Sequence, residues 1–438
     1  MNRIKLAFAG FTLALAILWF LADTLPLASF GQRAFDIAFT QLSGILSIGM
    51  MSFATLLSTR PKWLEPTFDG LDKMYRLHKW LGVGGLAIGL AHWAFAAGEG
   101  GRRAPGVADA AAAGAVQTQT FLQSLHGPAK EVGQPALFAL IALVAIALVK
   151  LIPYRIFAKT HFIVAFVFAV LAFHSVALLK SAYWTQPVGW AALGLIAIGT
   201  VCALYSLLRL AGLRREAQGT VISAFAYPEL RVLETELTVD ARWPGHEAGQ
   251  FAFVTTDWKE GPHPFTIATA WDPRDRRIGF IAKELGDHTA RLREHFVEGR
   301  AVRVEGPYGR FAFDDGKPRQ IWVGAGIGIT PFVAKMRERA KLADATVVDL
   351  FHATSDVSEI ALAKMRADAA AAKVNLHIFI SGRDGKLDAD KIRSAAPDWK
   401  AASLWFCGPA GFGAKLRNDF KSAGLHPGDF HQELFEMR

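Results

Sequence analysis

Cysteine is nearly absent. Only Cys202 and Cys407 occur in 438 residues, one inside an apolar run and the other in the polar half, so neither a disulfide framework nor a zinc cluster can be built from them. Charge is scarce as well, and unevenly so: almost all the long uncharged runs lie before about residue 210, while the remainder alternates as soluble proteins do. With 52% hydrophobic residues and a mean hydropathy of +0.24, the chain is too apolar to be wholly soluble and too long for one ordinary domain. A net charge of +9 would suit nucleic acid. The cations of the first half, however, gather at the ends of apolar runs, as the positive loops of a membrane protein do, and no nucleic-acid partner is expected.

Six runs approach the ~20 residues needed to cross ~30 Å of hydrocarbon. They are Ile4 to Leu21, Ala34 to Leu57, Leu77 to Ala97, Pro135 to Ile152, His161 to Leu179 and Pro187 to Leu210. An even number places both termini on one side. The links after the second run (Arg60, Lys62, Lys73, Arg76, Lys79), the fourth (Lys150, Arg155, Lys159) and the sixth (Arg209, Arg214, Arg215) are rich in cations. These links should face the cytoplasm, which predicts a multi-pass protein of the plasma (inner) membrane with its polar half inside. The long link from Gly98 to Gly133 should lie outside, with GVADAAAAGAV as a loop or weak helix. Arg3 and Lys5 give the first run the look of a signal peptide, and cleavage there would leave the remaining topology unchanged.

Ligating side chains inside apolar spans are costly and point to function. Four histidines stand out: His78 and His92 on the third run, His161 and His174 on the fifth. A spacing of 14 residues is ~20 Å of rise and only ~40° from a common helix face, so His78 and His92 can serve two levels of the membrane. His161 and His174 are 13 residues apart, and local tightening of that helix is expected to bring them onto one face. Both runs point outward, so His78 meets His161 at the inner level and His92 meets His174 at the outer. Two b-type haems with two imidazoles each follow, a ligation that leaves no open position on iron and favours outer-sphere electron transfer. His126 lies in the outer link without a matching partner and reads as structural.

From about Gln218 come short alternating strands (TVISAFAY, LRVLETELTV, GQFAFVTT, HPFTIATA, RRIGFIAKEL, AVRVEGPYGRF) that predict a small antiparallel barrel. After Pro318, strands alternate with helical runs, the pattern of a doubly wound parallel sheet. Three domains are therefore expected, at 1–217, 218–316 and 317–438: an α-helical membrane bundle of six spans, the antiparallel β-barrel, and an α/β doubly wound domain.

Particular residues now carry a resemblance. His263-Pro264-Phe265-Thr266, Gly286-Asp287-His288-Thr289, Gly324-Ala325-Gly326-Ile327-Gly328-Ile329-Thr330-Pro331, Cys407-Gly408-Pro409 and Glu433-Leu434-Phe435 fall in order along the polar half. That half resembles the ferredoxin-NADP reductase superfamily, and together with the histidine-bearing runs the chain, from about Leu21 onward, resembles the bacterial ferric reductase and NADPH oxidase family. The resemblance implies FAD on His263, Pro264, Phe265 and Thr266, with the aromatic ring along the isoalloxazine and the hydroxyl near its N5. It puts the FAD pyrophosphate at Gly286 and Thr289, where a helix N-terminus favours an anion, although a plain capped helix would have the same sequence. Gly249-Gln250-Phe251 and Gly306-Pro307-Tyr308-Gly309 fit the same pattern. Gly324, Gly326, Gly328, Thr330 and Pro331 would let the backbone approach the pyrophosphate of NADPH or NADH. Cys407, Gly408 and Pro409 would lie beside the nicotinamide, unless Cys407 is simply a buried structural residue. Phe435 would cover the flavin, although Glu436, Met437 and Arg438 follow it here.

The dinucleotide stays open between NADH and NADPH. Where the family often has an arginine for a 2'-phosphate, this chain has His352-Ala353-Thr354-Ser355-Asp356, and Arg383 and Lys386 are either substitutes or solvated cations. The implied job is electron transfer from cytoplasmic NAD(P)H through FAD and two haems to an outer acceptor, a ferric chelate first and dioxygen second. Cys407, Phe435 and Thr266 flank the hydride, and no carboxylate dyad or nucleophile is needed. Two rivals remain: an electron-delivery subunit docking a partner protein, and a haem-free receptor with a degenerate reductase.

Overall fold

A computed structural model describes residues 2–23, 32–102, 121–149, 151–257, 261–284, 289, 291–342 and 344–433. Two compact units follow the chain, residues 1–64 with 73–211, and residues 212–437 with 65–72.

The first unit holds six helices long and apolar enough to span a membrane: α1 (Asn2–Ala22), α2 (Gln32–Ser58), α3 (Leu71–Arg102), α4 (His126–Leu148), α5 (Tyr154–Leu178) and α6 (Pro187–Leu207). The central element is α2, whose span is 56% buried against 17–39% for the others. Small residues allow its close approach to α3. The Ser47 hydroxyl donates to the Gly85 carbonyl at 2.8 Å, and a Cβ on Gly85 or Gly89 would stand 3.1–3.3 Å from Ser47. Such contacts replace the hydrophobic drive that lipid removes. The outward faces keep Leu6, Leu13, Phe20, Phe166 and Trp190 exposed, as a lipid-facing surface requires.

Helix α4 begins at His126, nine residues before the expected Pro135, and Pro135 sits inside it. His126 is thus the first residue of a helix and not part of a loop. The expected tightening of the fifth span is absent as well, since α5 is α-helical from Tyr154 to Leu178. The Ala-rich stretch at 106–116 lies outside the described residues.

The second unit holds, among the described residues, six antiparallel strands: β1 (Glu216–Tyr227), β2 (Val232–Val239), β3 (Phe251–Thr255), β4 (His263–Thr266), β5 (Arg277–Lys283) and β6 (Ala301–Tyr308), with alternate burial clearest in β2 and continuous burial in β3 and the end of β6. In β2, for example, Leu233, Thr235, Leu237 and Val239 face the core. The ladder runs β4-β3-β6-β1-β2-β5, and its edges meet only at one isolated bridge between Ile267 and Phe280. The expected barrel is therefore an incompletely closed sheet. Four residues of β4, one of them a proline without an N–H, cannot carry a continuous closing ladder.

Five parallel strands follow in the order β11-β10-β7-β8-β9: β7 (Arg319–Ala325), β8 (Val347–Thr354), β9 (Asn375–Ile380), β10 (Ser403–Cys407) and β11 (Phe430–Gln432). The connecting helices are α7 (Thr330–Arg339), α8 (Glu359–Ala371), α9 (Ala389–Ala395) and α10 (Ala410–Ser422). Trp322, Phe332, Met336 and Met365 share one core, while Val323, Ile392, Phe406 and Phe420 share another, so both faces are covered and the sheet is doubly wound. The strand order reverses between β7 and β10, and the crevice beyond their carboxyl ends is where ligands bind such folds.

Phe332, fully buried, touches Phe311, Phe313 and Trp322 at centroid distances of 5.7–5.8 Å. Phe332→Ala should cost about 3–5 kcal/mol of stability. Urea unfolding followed by tryptophan fluorescence measures it, and a loss under about 1 kcal/mol would contradict this packing.

Candidate functional site

Two groups of functional side chains take shape, one in each unit. In the membrane unit the four histidines meet in two pairs. The His78 and His161 rings lie 5.9 Å apart between centroids at 77°, and those of His92 and His174 lie 6.2 Å apart at 86°. Three of the rings reach helix carbonyls, and the Ser43 hydroxyl also lies 3.3 Å from His92 Nδ1. His78 Nδ1 is 2.8 Å from the Ala54 carbonyl, His92 Nδ1 2.9 Å from the Thr40 carbonyl, and His174 Nδ1 2.7 Å from the Ala129 carbonyl. Each carbonyl accepts the Nδ1–H, so the ring nitrogen left to ligate is Nε2.

Ala54 and Thr40 stand fourteen residues apart on α2, as His78 and His92 do on α3, so one register serves both levels. His161 differs: its Nδ1 is buried without a hydrogen-bond partner, and its ring stacks on Phe157 at 5.1 Å. With α5 α-helical throughout, both His161 and His174 still reach their partner rings.

Room for the outer pair comes from glycine. A Cβ on Gly133 would stand 2.5 Å from His174 Cε1, and one on Gly44 would stand 3.3 Å from His92 Cε1. Sequence reasoning missed Gly44, Gly133 and the three carbonyls, since glycine in an apolar run signals packing of an unnamed kind. The pairs fit one metal each. Two metal–imidazole bonds of ~2 Å, with about an ångström from each nitrogen to its ring centre, sum to the ~6 Å observed between centroids.

In the second unit, β4 carries His263, Pro264, Phe265 and Thr266 opposite Val254, Phe253, Ala252 and Phe251. Pro264 is exposed and His263 half-buried, whereas Phe265 is turned into the core against Phe280 and Phe296 at 6.0 and 6.2 Å, and Thr266 is buried. The turns at Gly249 and Gly306–Gly309 meet across β3 and β6, where Phe251 pairs with Tyr308. Gly249 has φ +91° and the Phe311 carbonyl against it, a place no side chain can occupy. Thr289 is described, while Gly286 and Phe435, with Leu434 and residues 436–438, lie outside the described residues.

At the strand-order reversal, Gly324, one residue before the end of β7, pairs with Cys407, the last residue of β10. A Cβ on Gly328 would stand 2.3 Å from the Cys407 carbonyl oxygen, and one on Gly408 would stand 2.7 Å from the Ala325 Cβ. The glycine loop and the Cys407-Gly408-Pro409 turn are thus brought together. Thr330 is buried and its hydroxyl donates to the Ile327 carbonyl at 2.8 Å, closing the loop on itself, and Pro331 stands in the first turn of α7. Cys407 is fully buried, and burial, then Glu433, push its thiol well above the ordinary range. Glu433, itself buried, belongs to the predicted terminal segment but had no role assigned there. Burial pulls His352 down to about 4, so it is a neutral ring, with Nδ1 3.2 Å from the Gly324 carbonyl. Arg383 forks onto Asp384 at 2.9 and 3.0 Å.

Against known proteins, the family "ferric reductase like transmembrane component" matches residues 43–172, and the family "FAD-binding domain" matches residues 223–312. The chain is similar to proteins named as NADPH oxidoreductases, NADPH oxidases and ferric reduction oxidases. It is 26% identical over 201 residues to the NADPH oxidoreductase of Mycobacterium tuberculosis, which covers 44% of this chain and 52% of that one. It is 28% identical over 221 residues to respiratory burst oxidase homolog protein D of Arabidopsis thaliana, covering 43% and 23%. Ferric reduction oxidase 5 of the same plant is 34% identical over 80 residues, covering 17% and 11%. The chain thus spans about half the length of the first of these relatives and less of the others. It joins a ferric reductase-like transmembrane component to an FAD-binding module.

A thiol held protonated and enclosed should resist alkylation. Iodoacetamide at pH 8 is expected to leave Cys407 unmodified in the folded protein and to modify it after denaturation, as read by peptide mass spectrometry; labelling of the native chain at neutral pH would contradict the raised pKa.

Proposed function

We propose that the chain is a transmembrane flavocytochrome b oxidoreductase that takes electrons from NADH or NADPH in the cytoplasm and delivers them across the plasma (inner) membrane, with a ferric chelate as the favoured acceptor. The observation that carries this reading is the meeting of four imidazoles in two pairs, three of them with Nδ1 committed to a helix carbonyl. His78 and His161 would hold one haem b and His92 and His174 the other, ~20 Å of helix rise apart. Thr40, Ala54 and Ala129 fix the tautomers by accepting the Nδ1–H, which presents the Nε2 lone pairs to iron. Haem iron held by two imidazoles would offer an acceptor no coordination position, so the chemistry it would supply is outer-sphere electron transfer.

In the reductase unit His263, Pro264, Phe265, Thr266, Gly286 and Thr289 would hold FAD, and Phe435 would cover its ring. Gly324, Gly326, Gly328, Thr330 and Pro331 would bind the dinucleotide, with Cys407, Gly408 and Pro409 at the nicotinamide and Arg383 a further contact. Cys407, Phe435 and Thr266 border the place where hydride passes, and Glu433 sets the polarity behind Cys407. FAD, when bound, converts a hydride pair into single electrons, and haem, when bound, carries them singly. Each dinucleotide oxidised should therefore reduce two one-electron acceptors and release one proton inside. The cationic links set the direction, cytoplasm to exterior. The assigned spans are 1–217 for haem, 218–316 for FAD and 317–438 for the dinucleotide.

His92→Leu should cut the cytochrome b absorbance of the dithionite-reduced protein by about half, stop acceptor reduction and leave flavin reduction by the dinucleotide intact. Retention of both haems would overturn the ligand assignment. In reconstituted vesicles given NADPH or NADH, Fe(II) capture that persists without oxygen supports the ferric acceptor, whereas dye reduction abolished by superoxide dismutase reassigns it to dioxygen.

A further inference from the structure

Within the reductase unit a cleft opens between the FAD-binding sheet and the dinucleotide fold. Its floor is apolar, with Ile281, Val333 and Met365, and at one end Gly326 and Ile327 of the glycine loop lie beside Thr354 and Asp356. Strands β7 and β8 are parallel and place Ala325 opposite Ala353, so residues 354–356 leave the sheet one strand over from the loop, at the same end. In a doubly wound sheet, a dinucleotide whose pyrophosphate rests on the loop after the first strand sets its adenosine ribose near the end of the second. The side chain waiting there is a carboxylate. It is held in a tight turn, in which the Asp356 N–H donates to Thr354 Oγ1 at 3.2 Å and that hydroxyl donates to the Asp356 carbonyl at 2.8 Å.

The cations of the cleft are already committed. Lys283 binds Asp356 at 2.5 Å, Lys364 binds Glu234 at 2.7 Å, and Arg337 binds Asp368 at 3.2 Å and Glu234 at 3.4 Å. Three lysine and arginine charges of the lining face three carboxylates, so the lining itself is close to neutral, and Arg231 beside it acts on Asp356. His352, the remaining basic group of the lining, is buried with Nδ1 on the Gly324 carbonyl.

We propose that the chain selects NADH over NADPH and that Asp356 determines the choice, its carboxylate accepting a hydrogen bond from the ribose 2'-hydroxyl and repelling a phosphate esterified at that oxygen. The inference rests on the nicotinamide-dependent reductase reading above. Discrimination works by attraction to one ligand and repulsion of the other, as specificity requires.

The test is anaerobic stopped-flow bleaching of the flavin in the detergent-solubilised full chain, titrated with NADH and with NADPH. The second-order rate with NADH should exceed that with NADPH by about tenfold or more. Asp356→Asn should narrow the ratio, and Asp356→Arg should reverse it by raising the NADPH rate, with retained flavin absorbance reporting an intact fold. Equal or faster bleaching by NADPH in the unmodified chain would overturn the selection. So would an unchanged ratio in Asp356→Asn, or an Arg383→Ala variant that loses NADPH bleaching alone. No bleaching by either dinucleotide would overturn the reductase reading itself, and this inference with it.

Discussion

The membrane half depends on hydrogen bonds from imidazole N–H groups to carbonyls of a neighbouring helix. A histidine among apolar side chains is costly unless its donor is satisfied, and the nearest acceptors here are backbone oxygens that already serve a helix. Thr40, Ala54 and Ala129 supply a second lone pair each. For that to happen the helices must come close, which is why Ser47, Gly85 and Gly89 line the α2–α3 contact and Gly44 and Gly133 lie under the outer rings. The polar requirement and the small-residue packing are two sides of one constraint.

The reductase unit solves a different problem, bringing loops of distant sequence to one crevice. Winding the chain outward from β7 in both directions leaves the ends of β7 and β10 side by side, and glycine at 324, 328 and 408 removes the side chains that would keep the two turns apart. The aromatic cluster of Phe311, Phe313, Trp322, Phe332 and Trp405 then fixes the sheet beneath that crevice. Rigidity below and side-chain-free backbone above suit the close approach of a large anionic cofactor.

Much of this was legible in the sequence, because the signals were physical and long. Six apolar runs, a histidine spacing near four helical turns and a change from period-two to alternating strand and helix patterns each report directly on structure. The failures are equally informative. The apolar run starts at Pro135, yet α4 starts at His126: the proline is the tenth residue of the helix and removes one backbone hydrogen bond without ending it, and Ala129 and Gly133 before it are buried. Strand count and alternation predict an antiparallel barrel but say nothing of whether its edges pair. The carbonyl acceptors were invisible, since every residue has one and only the fold selects which three are used. Phe265 shows the same limit: the strand was read, but which way its ring turns was set by Phe280 and Phe296.

The equal fourteen-residue intervals on α2 and α3 have a mechanical consequence. Two pins at matching intervals lock a pair of rods against sliding, because a slip of one helical turn, ~5.4 Å, would unseat His92 and His78 from their carbonyls together. The α2–α3 pair is therefore a ruler, and any control over traffic through this protein must act at its ends, where cargo arrives or departs, and not by ratcheting its shaft.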